Sequence, residues 1–179
     1  MKFRKCDFMN KFYPEIYQES IYTINYEKLK KNNIKCLLFD LDNTCIPYKN
    51  NSIPGSLIEL FDKLTKMNFK VIVFSNSPKK RLDKLSLNVD YNPSSRKPLR
   101  HNFKKIIKKY NYKESEVCII GDQLLTDVLG GNLVGIHTCL IEPLTEEDMF
   151  FTKFSRKIEA SIFKKLSKEK KLIKGKYYD

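Results

Sequence analysis

No apolar run in these 179 residues approaches the ~18 that a membrane-spanning helix requires. The first thirteen residues scatter Lys and Arg among apolar positions without a continuous apolar block, so the plan of a secretory signal is missing as well. These two absences predict a cytoplasmic protein. The five cysteines (6, 36, 45, 118 and 139) are odd in number and include no C-x-x-C pair, which argues against structural zinc and for a reducing compartment. Cys36 and Cys118 fall inside apolar runs, where a free thiol behaves as a small hydrophobe. His101 and His137 lie far apart, have no ligand spacing to any cysteine, and read as surface or packing residues. There is no internal repeat, and no low-complexity segment before the C-terminal tail.

Positive charge is abundant. At 41% apolar and 31% charged the chain has the composition of a soluble globular protein, and its length suits one domain with a substantial core. The net charge of +13 calls for nucleic acid, an anionic membrane surface or phosphorylated substrates. Its distribution is uneven. Residues 153–179 hold ten Lys or Arg against three acids, a net of +7 and more than half of the excess.

Along the chain, Pro14 predicts a helix over 14–22 with Ile16, Tyr17 and Ile21 on one side, followed by a second short helix capped by Asn25. A regular alternation then starts. Strands are expected at 34–40, 71–74, 89–91, 117–120 and 135–141, with helices over 56–67, 78–85, 99–110 and 124–131. Strands alternating with helices of this length predict parallel βαβ units, an α/β fold of three layers around a mostly parallel sheet. Three divisions are expected: a helical segment over 1–33 packed on the core, the core at 34–145, and a basic amphipathic helix with a flexible tail over 146–179.

In such a sheet ligands bind beyond the carboxyl ends of the strands. Four polar groups lie there: Asp40 and Asp42, then Ser75-Asn76, then Arg96-Lys97-Pro98, then Gly121-Asp122 with Asp127. Each alone has an ordinary explanation as a cap, a turn residue or a surface charge. Together, in the order acid pair, hydroxyl, lysine, acid pair, they describe a phosphoryl-transfer site. Asp40 and Asp42, two residues apart in an extended stretch, are expected to point the same way. Converging carboxylates call for a hard cation, and oxygen-only ligation suits Mg²⁺. One carboxylate can attack phosphorus and another can move the proton.

Asp40-Leu41-Asp42-Asn43-Thr44, Ser75 at a strand end, Lys97 before Pro98 and Gly121-Asp122-Gln123-Leu124-Leu125-Thr126-Asp127 resemble the motifs of the haloacid dehalogenase (HAD) superfamily of phosphatases. From Phe12 to Leu166 the chain is more closely similar to the YqeG-like branch, subclass IIIA, itself similar to phosphatidylglycerophosphate phosphatases of mitochondria and plastids. The resemblance implies a HAD-like fold, Asp40 as nucleophile and Asp42 as general acid/base. It further implies phosphate contacts from Ser75 and Lys97, with Asn76 beside them, and Mg²⁺ held by Asp40, the Asp42 carbonyl, Asp122 and Asp127. Thr44, Gly121 and Gln123 would support the site.

Superfamily members often carry a cap domain between these motifs. Here Asp42 to Ser75 has room for one loop and one helix, and Ser75 to Lys97 for one helix and a short strand, so no cap is expected. An uncovered site cannot exclude water around a small metabolite, but it can admit a phosphate carried on a protein, a nucleic acid end or a lipid headgroup. From Phe150, the apolar positions Phe151, Phe154, Ile158, Ile162 and Leu166 recur at helical spacing among lysines. That helix either packs on the domain or lies on an anionic membrane, and the stretch from Lys168 to Lys176 reads as solvated. The substrate implied by the resemblance is phosphatidylglycerophosphate at the inner membrane surface. Alternatives are another phosphate ester, such as a nucleotide, phosphosugar or phosphoprotein, or a basic RNA- or ribosome-associated protein with a vestigial site.

Overall fold

The computed structural model describes residues 9–48, 50–145, 150–168 and 172–178, with 150–156 described by backbone alone. Its centre is a six-stranded sheet in which every strand pair is parallel, in the order β1-β6-β5-β2-β3-β4. The strands are β1 (Ile16–Gln18), β2 (Cys36–Phe39), β3 (Lys70–Phe74), β4 (Asp90–Asn92), β5 (Val117–Gly121) and β6 (His137–Ile141). All four residues of β2 are buried, as a strand covered on both faces must be.

Helices α1 (Tyr26–Lys31), α2 (Gly55–Lys66) and α3 (Lys79–Lys84) flank one face, and α4 (Arg100–Lys109) and α5 (Leu129–Val134) the other. The apolar spacing explains the packing. Leu57, Leu60, Phe61 and Leu64 form one stripe of α2 and all four are buried against the strands, while Phe103, Ile106 and Ile107 do the same from α4. This is the three-layer α/β architecture expected from the alternation. Between Asp42 and Ser75 the described chain holds α2 and β3, and between Ser75 and Lys97 it holds α3 and β4, with no cap element among the described residues.

The N-terminal segment differs from expectation. Residues 16–18 are not helical; they form β1, pairing with Cys139–Ile141 of β6, and all three are buried. The C-terminal tail supplies the reason. An edge strand leaves backbone groups to be satisfied, and residues 172–178 run along β1 to satisfy them. Gly175 N–H donates to the Tyr17 carbonyl at 2.8 Å, Tyr178 N–H to that of Glu15 at 2.7 Å, and Tyr17 N–H to that of Lys176 at 3.2 Å. Leu172 is buried. The described part of the tail is thus tied to β1 by its backbone and by Leu172 while residues 173–176 stay exposed, and Glu169, Lys170 and Lys171 lie outside the described residues. His137 pairs with Glu15 and fastens β1 to β6 from the side.

Helix α6 (Phe150–Lys168) packs on the domain. Leu166 is fully buried with Phe12, Tyr17, Leu124 and Val128, and Ile162 and Phe163 pack against the same cluster. Ile158 is exposed. The side chains of Phe151, Lys153, Phe154 and Arg156, on which part of the amphipathic pattern rests, lie outside the described residues. No described helix is long and apolar enough to cross a membrane.

Candidate active site

The polar groups expected at the strand ends meet beyond the carboxyl edge of β2, β3 and β5. Asp40 continues the β2 ladder by one bond, its N–H donating to the Ile120 carbonyl at 2.9 Å. Asp122 follows β5 directly. Between Leu124 and Val128 the chain makes a π-helical turn that carries Asp127 back over the strand end. One oxygen from each of Asp40, Asp122 and Asp127 lies within 4.8 Å of the others, and all three residues are buried. Gly121 makes this approach feasible. A Cβ there would sit 2.2 Å from Cγ of Asp127, so the carboxylate occupies the space a side chain would need.

Lys97 reaches the cluster from the loop after β4. That loop is tied to β3, since Ser75 N–H donates to the Asn92 carbonyl at 3.1 Å and Ser95 N–H to the Ser75 carbonyl at 2.9 Å. Arg96 adopts a left-handed φ of 51° just before Lys97, a conformation a long side chain seldom takes. The lysine side chain is 1% exposed, and its Nζ donates to Oδ1 of Asp40 and Oδ1 of Asp127, each at 2.6 Å.

Three carboxylates against one ammonium leave the buried group two charges short of neutrality when all are ionised. Burial pushes the Asp40 carboxyl up to about 8; Lys97 opposes the rise, while Asp127 and Asp122 add to it. Burial disfavours the charge on Lys97, but Asp127 and Asp40 outweigh it and raise the ammonium above its ordinary value. An all-oxygen donor set with a residual charge of this sign fits a divalent metal ion, which Asp40, Asp122 and Asp127 could hold. Thr44 donates its hydroxyl to Oδ1 of Asp122 at 3.1 Å. Gln123 N–H donates to Oδ2 of Asp127 at 3.2 Å, and the Thr126 hydroxyl donates to Gln123 Oε1.

Two expected residues are held by neighbouring groups. Asp42 is not among the three converging carboxylates, and the chain turns just after it. Asn43, with a left-handed φ of 61°, turns it into a loop closed by Asn43 N–H to Ile46 carbonyl at 2.8 Å. Asp42 instead pairs with Arg81 on α3 and accepts a 2.6 Å bond from the Ser77 hydroxyl, so its carboxylate lies outside the acidic cluster. Asn76 clamps the lysine loop. Its Oδ1 accepts from Lys97 N–H at 2.8 Å and from the Ser95 hydroxyl at 2.9 Å, and its Nδ2 donates to the Lys97 carbonyl at 3.3 Å. Ser75 is buried at the end of β3, its hydroxyl accepting from Ser77 N–H at 3.0 Å.

Sequence reasoning missed Arg81, Ser77, Ser95 and Glu159. Glu159 is a buried acid on α6 whose Oε1 accepts from Leu125 N–H at 2.8 Å, in the first turn of the π-helical segment. A glutamate on an otherwise basic amphipathic helix was the available signal.

Residues 7–145 match the family described as mitochondrial PGP phosphatase. The chain is also 36% identical over 160 residues to "Probable phosphatase YqeG" of Bacillus subtilis, covering 88% of this chain and 93% of that protein. The chain belongs to this family of phosphatases. A second relative of the phosphatase is "Phosphatidylglycerophosphate phosphatase 1, chloroplastic/mitochondrial" of Arabidopsis thaliana, 28% identical over 170 residues; the match covers 85% of this chain and 47% of that longer protein. Among solved structures, a HAD family enzyme of Bacteroides thetaiotaomicron in complex with magnesium and inorganic phosphate superposes with a TM-score of 0.51 at 15% identity, covering 66% of this chain and 98% of that one. A HAD-like hydrolase of Porphyromonas gingivalis gives 0.51 at 12% identity, covering 70% and 98%. At these identities the likeness is one of fold, and it agrees with the expected HAD-like architecture. The phosphatase thus acts on a phosphorylated substrate, and its three buried aspartates form a cluster able to bind a metal.

Proposed function

We propose that this phosphatase hydrolyses a phosphomonoester through a phosphorylated Asp40, with Mg²⁺ as cofactor and phosphatidylglycerophosphate as substrate. The observation that carries the reading is the buried convergence of Asp40, Asp122 and Asp127 on the single ammonium of Lys97. Asp40 lies at the open strand end, where an Oδ can attack phosphorus. Lys97 contacts Asp40 already and is the cation a transferring phosphoryl group would meet; Ser75, at the adjacent strand end, offers a hydroxyl to the same group. Asn76 positions Lys97 through its main chain, and Gly121, Gln123 and Thr44 support the acidic cluster. When bound, Mg²⁺ supplies charge compensation for the phosphoryl oxygens.

The first step forms the Asp40–phosphorus bond and breaks the ester bond, and Asp42 in its protonated form gives its proton to the departing alkoxide. In the second, water attacks phosphorus, its proton passes to Asp42, and the Asp40–phosphorus bond breaks to release inorganic phosphate. Arg81 and Ser77 hold Asp42 beside the nucleophile loop, and a turn of its side chain toward the leaving oxygen completes the geometry.

The substrate assignment is supported by the family description, the named activity of the Arabidopsis relative and a site without a cap element among the described residues. On this reading residues 34–145 form the catalytic unit, residues 1–33 and 146–179 buttress it, and the basic C-terminal helix brings it to an anionic inner membrane surface. The test is phosphate release from phosphatidylglycerophosphate in mixed micelles, compared with nucleotides and phosphosugars. A preference for the lipid is expected, and an equal or greater rate on the soluble esters would remove the lipid assignment. Asp40→Asn is expected to lower turnover by roughly 10³-fold or more while the thermal unfolding transition is kept.

A further inference from the structure

The π-helical turn that carries Asp127 draws its support from outside itself. Over Leu124–Val128 it is closed by bonds from Asp127 N–H at 3.1 Å and Val128 N–H at 3.3 Å, both to the Gln123 carbonyl. The first N–H groups of any helical turn have no acceptor inside it, and the Gln123 side chain gives this one no cap. Another element supplies the acceptor. Glu159, 5% exposed at the middle of α6, presents Oε1 to the Leu125 N–H at 2.8 Å from 34 positions away.

The residue type at 159 is informative. Ile162, Phe163 and Leu166 of α6 already share an apolar cluster with Leu124, Leu125 and Val128 of the turn. A leucine at 159 would extend that cluster, whereas burying a carboxylate costs hydration and rotamer freedom. What the carboxylate adds is direction. Apolar contacts let two elements slide, but a bond to one N–H fixes the rotation of the turn. Asp127 lies two residues beyond Leu125, so any shift of the turn moves its carboxylate, and metal–ligand distances tolerate only about 0.2 Å.

The lead-in to α6 grips the other side of the acidic cluster. Thr145 donates its hydroxyl to Oδ1 of Asn43 at 2.8 Å, and Leu144 N–H donates to the Asn43 carbonyl at 2.9 Å. Asn43 forms the turn after Asp40 and precedes Thr44, whose hydroxyl bonds Asp122. The segments bearing all three aspartates are therefore held from α6 or from the residues leading to it.

We infer that Glu159 is a positioning residue for the metal ligand Asp127, and that through it the docking of α6 and the binding of Mg²⁺ strengthen each other. This rests on the phosphatase reading above in taking Asp40, Asp122 and Asp127 as the ligands of Mg²⁺. Such coupling is reciprocal: if a docked α6 raises affinity for the ion, the ion holds α6 in place by the same factor. Whatever lifts the helix then loosens the ion.

Two measurements on the full chain test this, Mg²⁺ affinity by calorimetry and amide hydrogen exchange with and without the ion. At about 100 times its dissociation constant, Mg²⁺ should slow exchange of the α6 amides in the wild type by roughly 10-fold or more. Glu159→Ala should weaken Mg²⁺ binding roughly 10-fold, the lower end for a group acting behind a metal ligand, and should abolish most of that slowing. Glu159→Gln keeps an acceptor oxygen and should restore both. A merely structural Glu159 would leave Mg²⁺ affinity unchanged in Glu159→Ala, and that result would overturn the inference. So would a wild-type α6 that exchanges equally with and without the ion, or equal losses in the two variants. Hydrolysis of p-nitrophenyl phosphate, measured in parallel, separates the two claims. Mg²⁺-dependent hydrolysis with an α6 indifferent to the ion leaves the phosphatase reading and removes the coupling, whereas a coupled α6 without hydrolysis does the reverse.

Discussion

Lys97 shows what a single side chain does here, since its ammonium is the one cation contacting the buried carboxylates among the described residues. Without a metal ion the site reduces its excess negative charge by keeping a proton on Asp40, whose carboxyl is pushed up to about 8. The sign follows from linkage. A carboxyl raised in the folded state binds more protons than in the unfolded chain between its ordinary value and about 8, so the metal-free protein loses stability as pH rises through that window. Melting temperatures of metal-free protein should therefore fall from pH 5 to pH 8, and saturating Mg²⁺ should raise them more at pH 8 than at pH 5; an equal increment at both would contradict the assignment. Gly121 is the second residue with a defined consequence. Gly121→Ala sets a Cβ against Asp127, and displacing that carboxylate should weaken Mg²⁺ binding by roughly 10–100-fold in a calorimetric titration. Asp40 and Asp122 were legible because each directly follows a buried apolar strand, and parallel topology brings those strand ends together. The partners of Asp42 were not, because Ser77 and Arg81 lie 35 and 39 positions further along the chain.

Among the elements, α6 links periphery and site. Glu159 on this helix accepts the N–H of Leu125 as the π-helical turn toward Asp127 begins. Glu159→Ala leaves that half-buried donor without its acceptor, at a cost of about 1 kcal/mol, whereas Glu159→Gln retains an acceptor oxygen and should lose less. Urea unfolding of the two variants measures the difference, and equal losses would show that the bond contributes nothing. The βαβ alternation was legible because the apolar period switches between 2 and 3.6 along the chain. β1 escaped it for a physical reason. Three buried residues carry no usable period, and their extended conformation is imposed by β6 on one side and by residues 172–178, more than 150 positions away, on the other.

For the molecule as a whole, charge and openness act together. A net +13 protein whose site lacks a cap element among the described residues can meet a charged surface without a domain movement. Lys157, Lys165 and Lys168 of α6 are exposed. At about 1 kcal/mol per lysine near an anionic bilayer, changing all three to Glu should lower binding to phosphatidylglycerol-containing vesicles by roughly 10²-fold. Wild-type binding should weaken as salt rises. Flotation of wild type and triple variant across salt concentrations tests this, and equal flotation would remove α6 as the membrane-facing element. The most direct test of the central claim is acid quenching of the protein during turnover, followed by mass spectrometry of the peptide that carries Asp40. A phosphoryl group on Asp40 is expected within the first turnover and is expected to be missing from Asp40→Asn. A phosphoryl group on another side chain, or turnover at the wild-type rate in Asp40→Asn, would contradict it.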